Sequence, residues 1–118
     1  MQNNTNLSER FLDFAVDIIK VTAKLKSTDV GRHIGNQLMR STTSSGANYE
    51  EACGAESKAD FIHKMQIVLK ELRESLFWLK LLRRVNLTDD KEVQVLMVET
   101  DELTRIVAKS VITAKSRR

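Results

Sequence analysis

Between Gln37 and Glu51 the chain carries Gln37, Arg40, Ser44, Asn48 and Glu51 at steps of three and four residues. Wound as a helix at roughly 100° per residue, these five side chains fall within an arc of about 80°. The arc continues the side marked upstream by Val30 and Ile34, so it is predicted to face the protein interior. Five hydrogen-bonding groups on a buried row are costly unless they satisfy one another or a partner. Inside the same stretch, Ser41-Thr42-Thr43-Ser44-Ser45-Gly46 has the composition of a loop. The helical alternative is preferred, because a loop gives Arg40, Ser44, Asn48 and Glu51 no reason to keep helical spacing. Small residues there would let a neighbouring helix approach closely while the hydroxyls join a polar network.

The totals agree with a helical protein. The 118 residues include no proline, four glycines and few aromatics, and are rich in Leu, Ala, Val, Ile, Glu, Lys and Arg. A chain of this length suits a single domain, residues 1–118. Its net charge of +3 is too small to announce a polyanionic partner, so the placement of the charges must decide that. Cys53 is the only cysteine, which leaves no internal disulfide and no clustered-Cys metal site, and suits a reducing compartment. The start, Met-Gln-Asn-Asn-Thr-Asn, has neither a basic opening nor an apolar run, and no uncharged stretch approaches the ~18 residues of a membrane span. A cytoplasmic protein without membrane contact is expected.

Four helical segments follow in order. The first runs from about Leu7 to Lys26, with Leu7, Phe11, Phe14, Ile18 and Leu25 on one stripe and Asn6/Glu9 as its capping pair. Ser27-Thr28-Asp29 breaks it and can cap the second, roughly Val30 to Cys53. Gly54 ends that segment. Ser57, with Asp60 three residues on, opens the third, about Lys58 to Val85, whose stripe is Phe61, Met65, Val68, Leu72, Leu79 and Leu82. Thr88 is predicted to cap the fourth, with Val93, Leu96, Leu103, Val107, Val111 and Ala114 facing inward. Long helices joined by short turns give an all-α, antiparallel up-down-up-down four-helix bundle.

Further features bear on function. Ile67, Trp78, Leu81 and Val85 on the third segment, with Val95, Val98, Ile106 and Ile112 on the fourth, lie off the main stripes. They suggest self-association, the alternative being one wide core stripe. Arg40, placed opposite about residue 70 by symmetry around Gly54, is predicted to pair with Glu71, with Ser44, Asn48 and Glu74 nearby. That network is read as structural, fixing helix register, with a ligand pocket as the lesser alternative. Away from the core, Lys70, Arg73, Lys80 and Arg84 share an arc of roughly 80° with Phe77 among them, and Arg117 and Arg118 close the chain. Such a row can follow a phosphate backbone, although most such stripes are just solvated helix faces. Enzyme readings find little support. Only Asp60-x-x-His63 loosely matches a di-iron bundle pattern, no glycine-rich phosphate loop is present, and neither His33 nor His63 is spaced to activate a nucleophile. No catalytic residue, metal or cofactor is expected.

Gln37-Leu-Met-Arg40-Ser-Thr-Thr-Ser44-Ser-Gly-Ala47-Asn48-Tyr-Glu-Glu51-Ala52, Ser57-Lys-Ala-Asp60-Phe61-Ile62 and Lys70-Glu71-Leu-Arg-Glu74-Ser-Leu-Phe-Trp78-Leu79 together resemble the bacterial four-helix-bundle proteins encoded in 23S rRNA intervening sequences. The likeness extends over nearly the whole chain, and the joint pattern is specific where any single piece is weak. Ser45 departs from it, since relatives often carry an apolar residue there. The resemblance implies a bundle assembling into a ring-like homopentamer. It also implies kinship with the accessory variability protein of diversity-generating retroelements, which binds nucleic acid and a reverse transcriptase through a basic surface. A ribosomal-protein label sometimes attached to members does not imply a ribosomal role. Arg40, Ser44, Asn48, Glu51, Glu71 and Trp78 match the motif and are read as structural. The basic row comes from helical projection and not from the resemblance. The leading expectation is a non-enzymatic oligomer that binds RNA or DNA through Lys70, Arg73, Lys80, Arg84, Arg117 and Arg118. A protein-interaction scaffold is the alternative.

Overall fold

The computed structural model describes residues 6–117, which form α1 (Leu7–Ala23), α2 (Asp29–Cys53), α3 (Lys58–Val85) and α4 (Asp90–Ser116). Each begins where a side chain accepts from an otherwise orphaned backbone N–H. Asn6 Oδ1 accepts from Glu9 N at 3.2 Å, Thr28 Oγ1 from Gly31 N at 2.9 Å, and Ser57 Oγ from Asp60 N at 3.0 Å. The fourth cap is Asp89, accepting from Lys91 N at 3.0 Å, and not the expected Thr88. A carboxylate there gains from the helix dipole as well as from the hydrogen bond. α1 stops at Ala23, short of the expected Lys26, and Leu25 is buried from the turn. Gly31 is required by that tight connection, since a Cβ would lie 2.2 Å from the Leu25 carbonyl oxygen. α3 ends at Asn86, whose φ of 57° is the left-handed conformation asparagine tolerates best after glycine.

Neighbouring helices run antiparallel. Arg10 on α1 and Lys24, just after its last residue, pair with Glu99 and Glu92 on α4. Glu51 and Ser41 on α2 meet Lys64 and Ser75 on α3, and Arg83 on α3 reaches Asp90 on α4. The result is a four-helix bundle of 51 × 30 × 20 Å, closed thinly between α1 and α4 and packed most closely between α2 and α3. Phe14 and Ile18 of α1, Ile34 and Leu38 of α2, Met65, Leu72 and Leu79 of α3, and Leu103 and Val107 of α4 fill the core.

α2 is one unbroken helix through Ser41–Gly46, so the loop alternative is excluded. Its orientation, however, differs from expectation by roughly a third of a turn. The buried face is Gly31, Ile34, Gly35, Leu38, Ser41, Thr42, Ser45 and Ala52. Gln37, Ser44 and Asn48 are half-buried at the edge, and Arg40 and Glu51 are exposed. Val30 caused the error: it sits in the first turn, 55% exposed, and does not mark the core side. Buried hydroxyls are tolerated because each finds a carbonyl one turn back or a second hydroxyl. Ser45 Oγ donates to Thr42 O at 2.6 Å, Ser75 Oγ to Glu71 O at 2.9 Å, and Ser41 Oγ and Ser75 Oγ lie 2.8 Å apart across the seam. Small side chains allow the same closeness toward α1, where a Cβ on Gly35 would lie 3.3 Å from Thr22 Cβ.

Candidate nucleic-acid interface and the polar seam beside it

α3 presents two sides with different chemistry. Toward α2, Arg40 forms a close ion pair with Glu74 and lies 3.6 Å from Glu71 Oε1. Spacing makes Glu71 the leading partner of Arg40 with Glu74 nearby; the structure pairs Arg40 with both, Glu74 being the closer. The hairpin pivots near Ser57–Lys58, as the Ser41–Ser75 and Glu51–Lys64 pairs show, so Arg40 meets α3 about one turn later than symmetry around Gly54 suggests. Trp78 Nε1 donates to Glu74 Oε2 at 3.1 Å, Ser44 Oγ to Glu71 Oε2 at 3.3 Å, and Asn48 Nδ2 to Ser44 O at 2.9 Å. Arg40 first, and the Trp78 indole second, hold the Glu74 carboxyl below the usual carboxylate range, while Glu74 keeps the Arg40 guanidinium more firmly charged. Glu71 is 9% exposed and its Oε1 has no hydrogen-bond partner, because the guanidinium that faces it is committed to Glu74. Ser75, which spacing did not single out, completes the seam; its sequence mark is a lone hydroxyl on the Leu72/Leu79 stripe.

On the opposite side Lys70, Arg73, Phe77, Lys80 and Arg84 are all exposed. None of the four cations forms an ion pair among the described residues. The arginines supply a sharper contrast. Arg10, Arg32, Arg40, Arg83 and Arg105 each hold a carboxylate, while Arg73, Arg84 and Arg117 do not. Arg117 is exposed but stands apart: its carbonyl accepts from Lys58, about 18 Å along α3 from Lys70. Arg118 lies outside the described residues.

The apolar surface is only partly where spacing placed it. Val95, Val98 and Ile112 are 66%, 63% and 67% exposed, whereas Trp78 and Leu81 pack against the core and Ile67 and Ile106 are half-buried. A further flank on α1, Leu12, Val16 and Ile19, went unread; with Ala15, Gly46 and Ala47 it lines a groove of ≈ 580 Å³ between α1 and α2. His33 and His63 are exposed, His33 against the edge of Trp78. Among the described residues no three His, Cys, Asp or Glu side chains are grouped to hold a metal ion, and no helix is long and apolar enough to cross a membrane.

Comparison with known proteins gives the lineage. No curated protein matches the chain. A crystal structure of a protein of unknown function from the S23 ribosomal protein family of Bacteroides thetaiotaomicron superimposes with a TM-score of 0.84 at 32% identity, covering 90% of this chain and 98% of that one. The family model described as 23S rRNA-intervening sequence protein matches residues 3–109. The chain is a member of the 23S rRNA-intervening sequence protein family.

Proposed function

We propose that the chain is a cytoplasmic, non-enzymatic, self-associating bundle that binds nucleic acid through Lys70, Arg73, Lys80 and Arg84, with Arg117 and Arg118 as a second basic point. The observation that carries this is that none of the four row cations forms an ion pair among the described residues, in a protein that pairs most of its other arginines. Like charges at Lys70/Arg73 and Lys80/Arg84 repel across one helical turn, so folding gains nothing from these two pairings. A polyanion does, through release of its counterions. Phosphate contacts of this kind carry little sequence preference.

An anisotropy titration against structured RNA at ~50 and ~200 mM salt tests this. Four phosphate contacts on a duplex imply that affinity falls by about two orders of magnitude over that range. The Lys70→Glu, Arg73→Glu, Arg84→Glu triple variant should lose binding. Absence of binding at the lower salt, or unchanged binding by the variant, would overturn the proposal.

Self-association is supported by the two unlike apolar flanks, Leu12/Val16/Ile19 and Val95/Val98/Ile112. A patch meeting a different patch is a head-to-tail joint, which closes as a ring when the rotation permits, in keeping with the homopentamer the family resemblance implies. Light scattering of the wild type against Leu12→Asp and Val98→Asp tests it, a monomeric wild type being the adverse result. The same α1 flank supports the protein-scaffold alternative. Recovery of a host partner unaffected by nuclease treatment would favour that reading.

A further inference from the structure

We propose that the basic face of α3 holds a single strand, with an unpaired base stacked on Phe77; this deepens the nucleic-acid reading and rests on it. Phe77 is 56% exposed at the middle of the row, with the cations at seven and four residues before it and three and seven after it. All five positions share one helical face about 21 Å long. A singly exposed phenylalanine is ordinary. One centred among four unpaired cations has a ligand geometry.

The ring is also backed. Trp78 packs against it at 4.9 Å between centroids and 77° between planes. Trp78 is itself held by its hydrogen bond to Glu74 and by the edge contact with His33 at 5.6 Å. The exposed Phe77 ring therefore sits on a braced support, which lowers the ordering cost of a stacked partner.

A duplex offers phosphates to the cations but keeps its base faces inside the stack, so it gains nothing from the ring. A single strand offers both, and any base has a π-face, so the contact tolerates sequence. Phosphates on either side of the stacked base reach Lys70 and Arg73 in one direction, and Lys80 and Arg84 in the other.

The test is an anisotropy titration of the full chain with a labelled mixed-sequence strand of about 16 nucleotides, as RNA and as DNA, and with the perfectly paired duplex of each. The wild type should prefer the strands. Phe77→Ala and Phe77→Leu should weaken strand binding roughly 5- to 150-fold and leave duplex binding unchanged. Phe77→Trp should restore it. Phe77→Leu keeps an apolar contact on Trp78, so it separates loss of stacking from loss of folding, with helical circular dichroism as the check. Strand and duplex affinities that respond equally to Phe77→Leu would overturn the stacking proposal alone. Failure of the wild type to bind strand or duplex would remove the basic-row reading and this inference with it.

Discussion

Along one helix, the side of α3 turned to α2 and the side turned outward handle charge differently. On the first, Glu74 is bound by Arg40 and Trp78, and Glu71 is reached by Ser44 and faced by Arg40. On the second, Lys70, Arg73, Lys80 and Arg84 are exposed and form no ion pair among the described residues. The seam spends its polar groups on fixing which residue of α2 faces which residue of α3. The outer row leaves its field free for something outside the chain. Arg83 and Arg84 make the same point one residue apart: Arg83 Nε donates to Asp90 at 2.9 Å, while Arg84 has no such partner.

This contrast breaks most visibly at the seam. Ser75 is fully buried beside Ser41 and Thr42, so Ser75→Leu should overpack the closest helix pair and strip two hydroxyls of a partner. A loss of about 2–3 kcal/mol in urea unfolding is expected; a loss under about 0.5 kcal/mol would mean the seam is looser than described. Arg40→Ala comes next. It leaves Glu71 and Glu74 facing each other, but Arg40 is half-exposed and solvent screens the pair, so the expected loss is about 1–2 kcal/mol.

A smaller effect should appear in acid. The folded-state pKa of Glu74 is depressed, first by Arg40, so its stabilisation is present above the ordinary carboxylate value and is lost as pH falls through the lowered one. Relative to wild type, Glu74→Gln should be less stable near pH 7 by about 1 kcal/mol, and the gap should close below about pH 4. A gap that stays constant with pH would show that the carboxylate's charge is not what matters. The smallest effect belongs to the outer row. Lys80→Glu replaces a like-charge neighbour of Arg84 by an opposite one, and should raise stability by about 0.3–0.5 kcal/mol. A clear loss would mean that the row contributes to folding.

Much of the fold was legible because long helices repeat their apolar residues often enough to average out errors. Met65, Val68, Leu72, Leu79 and Leu82 mark the inner side of α3 redundantly, and all are buried. α2 offers no such redundancy. Its inner face is built largely from glycines, serines and a threonine, so Val30, in an exposed first turn, misled the assignment. Spacing placed Arg40 opposite Glu71, and the two do pair; that Glu74 is the closer partner was not legible, because the α2–α3 connection is not symmetric about Gly54. The α1 flank was missed because Leu12, Val16 and Ile19 lie beside the true core stripe and look like its extension. The basic row could be placed from its spacing. That its cations lack partners could not, since Asp90 is near Arg83 only once α3 and α4 fold against each other.

Two alanine variants measured side by side test the division between the two sides of α3 most directly. For each, the slope of log affinity for RNA against log salt and the unfolding free energy are determined together. Arg73→Ala should reduce the slope by roughly 0.7–0.9 while leaving stability within about 0.5 kcal/mol. Arg40→Ala should lower stability and leave the slope unchanged. A slope that falls as much for Arg40→Ala as for Arg73→Ala, or that moves for neither, would contradict the account.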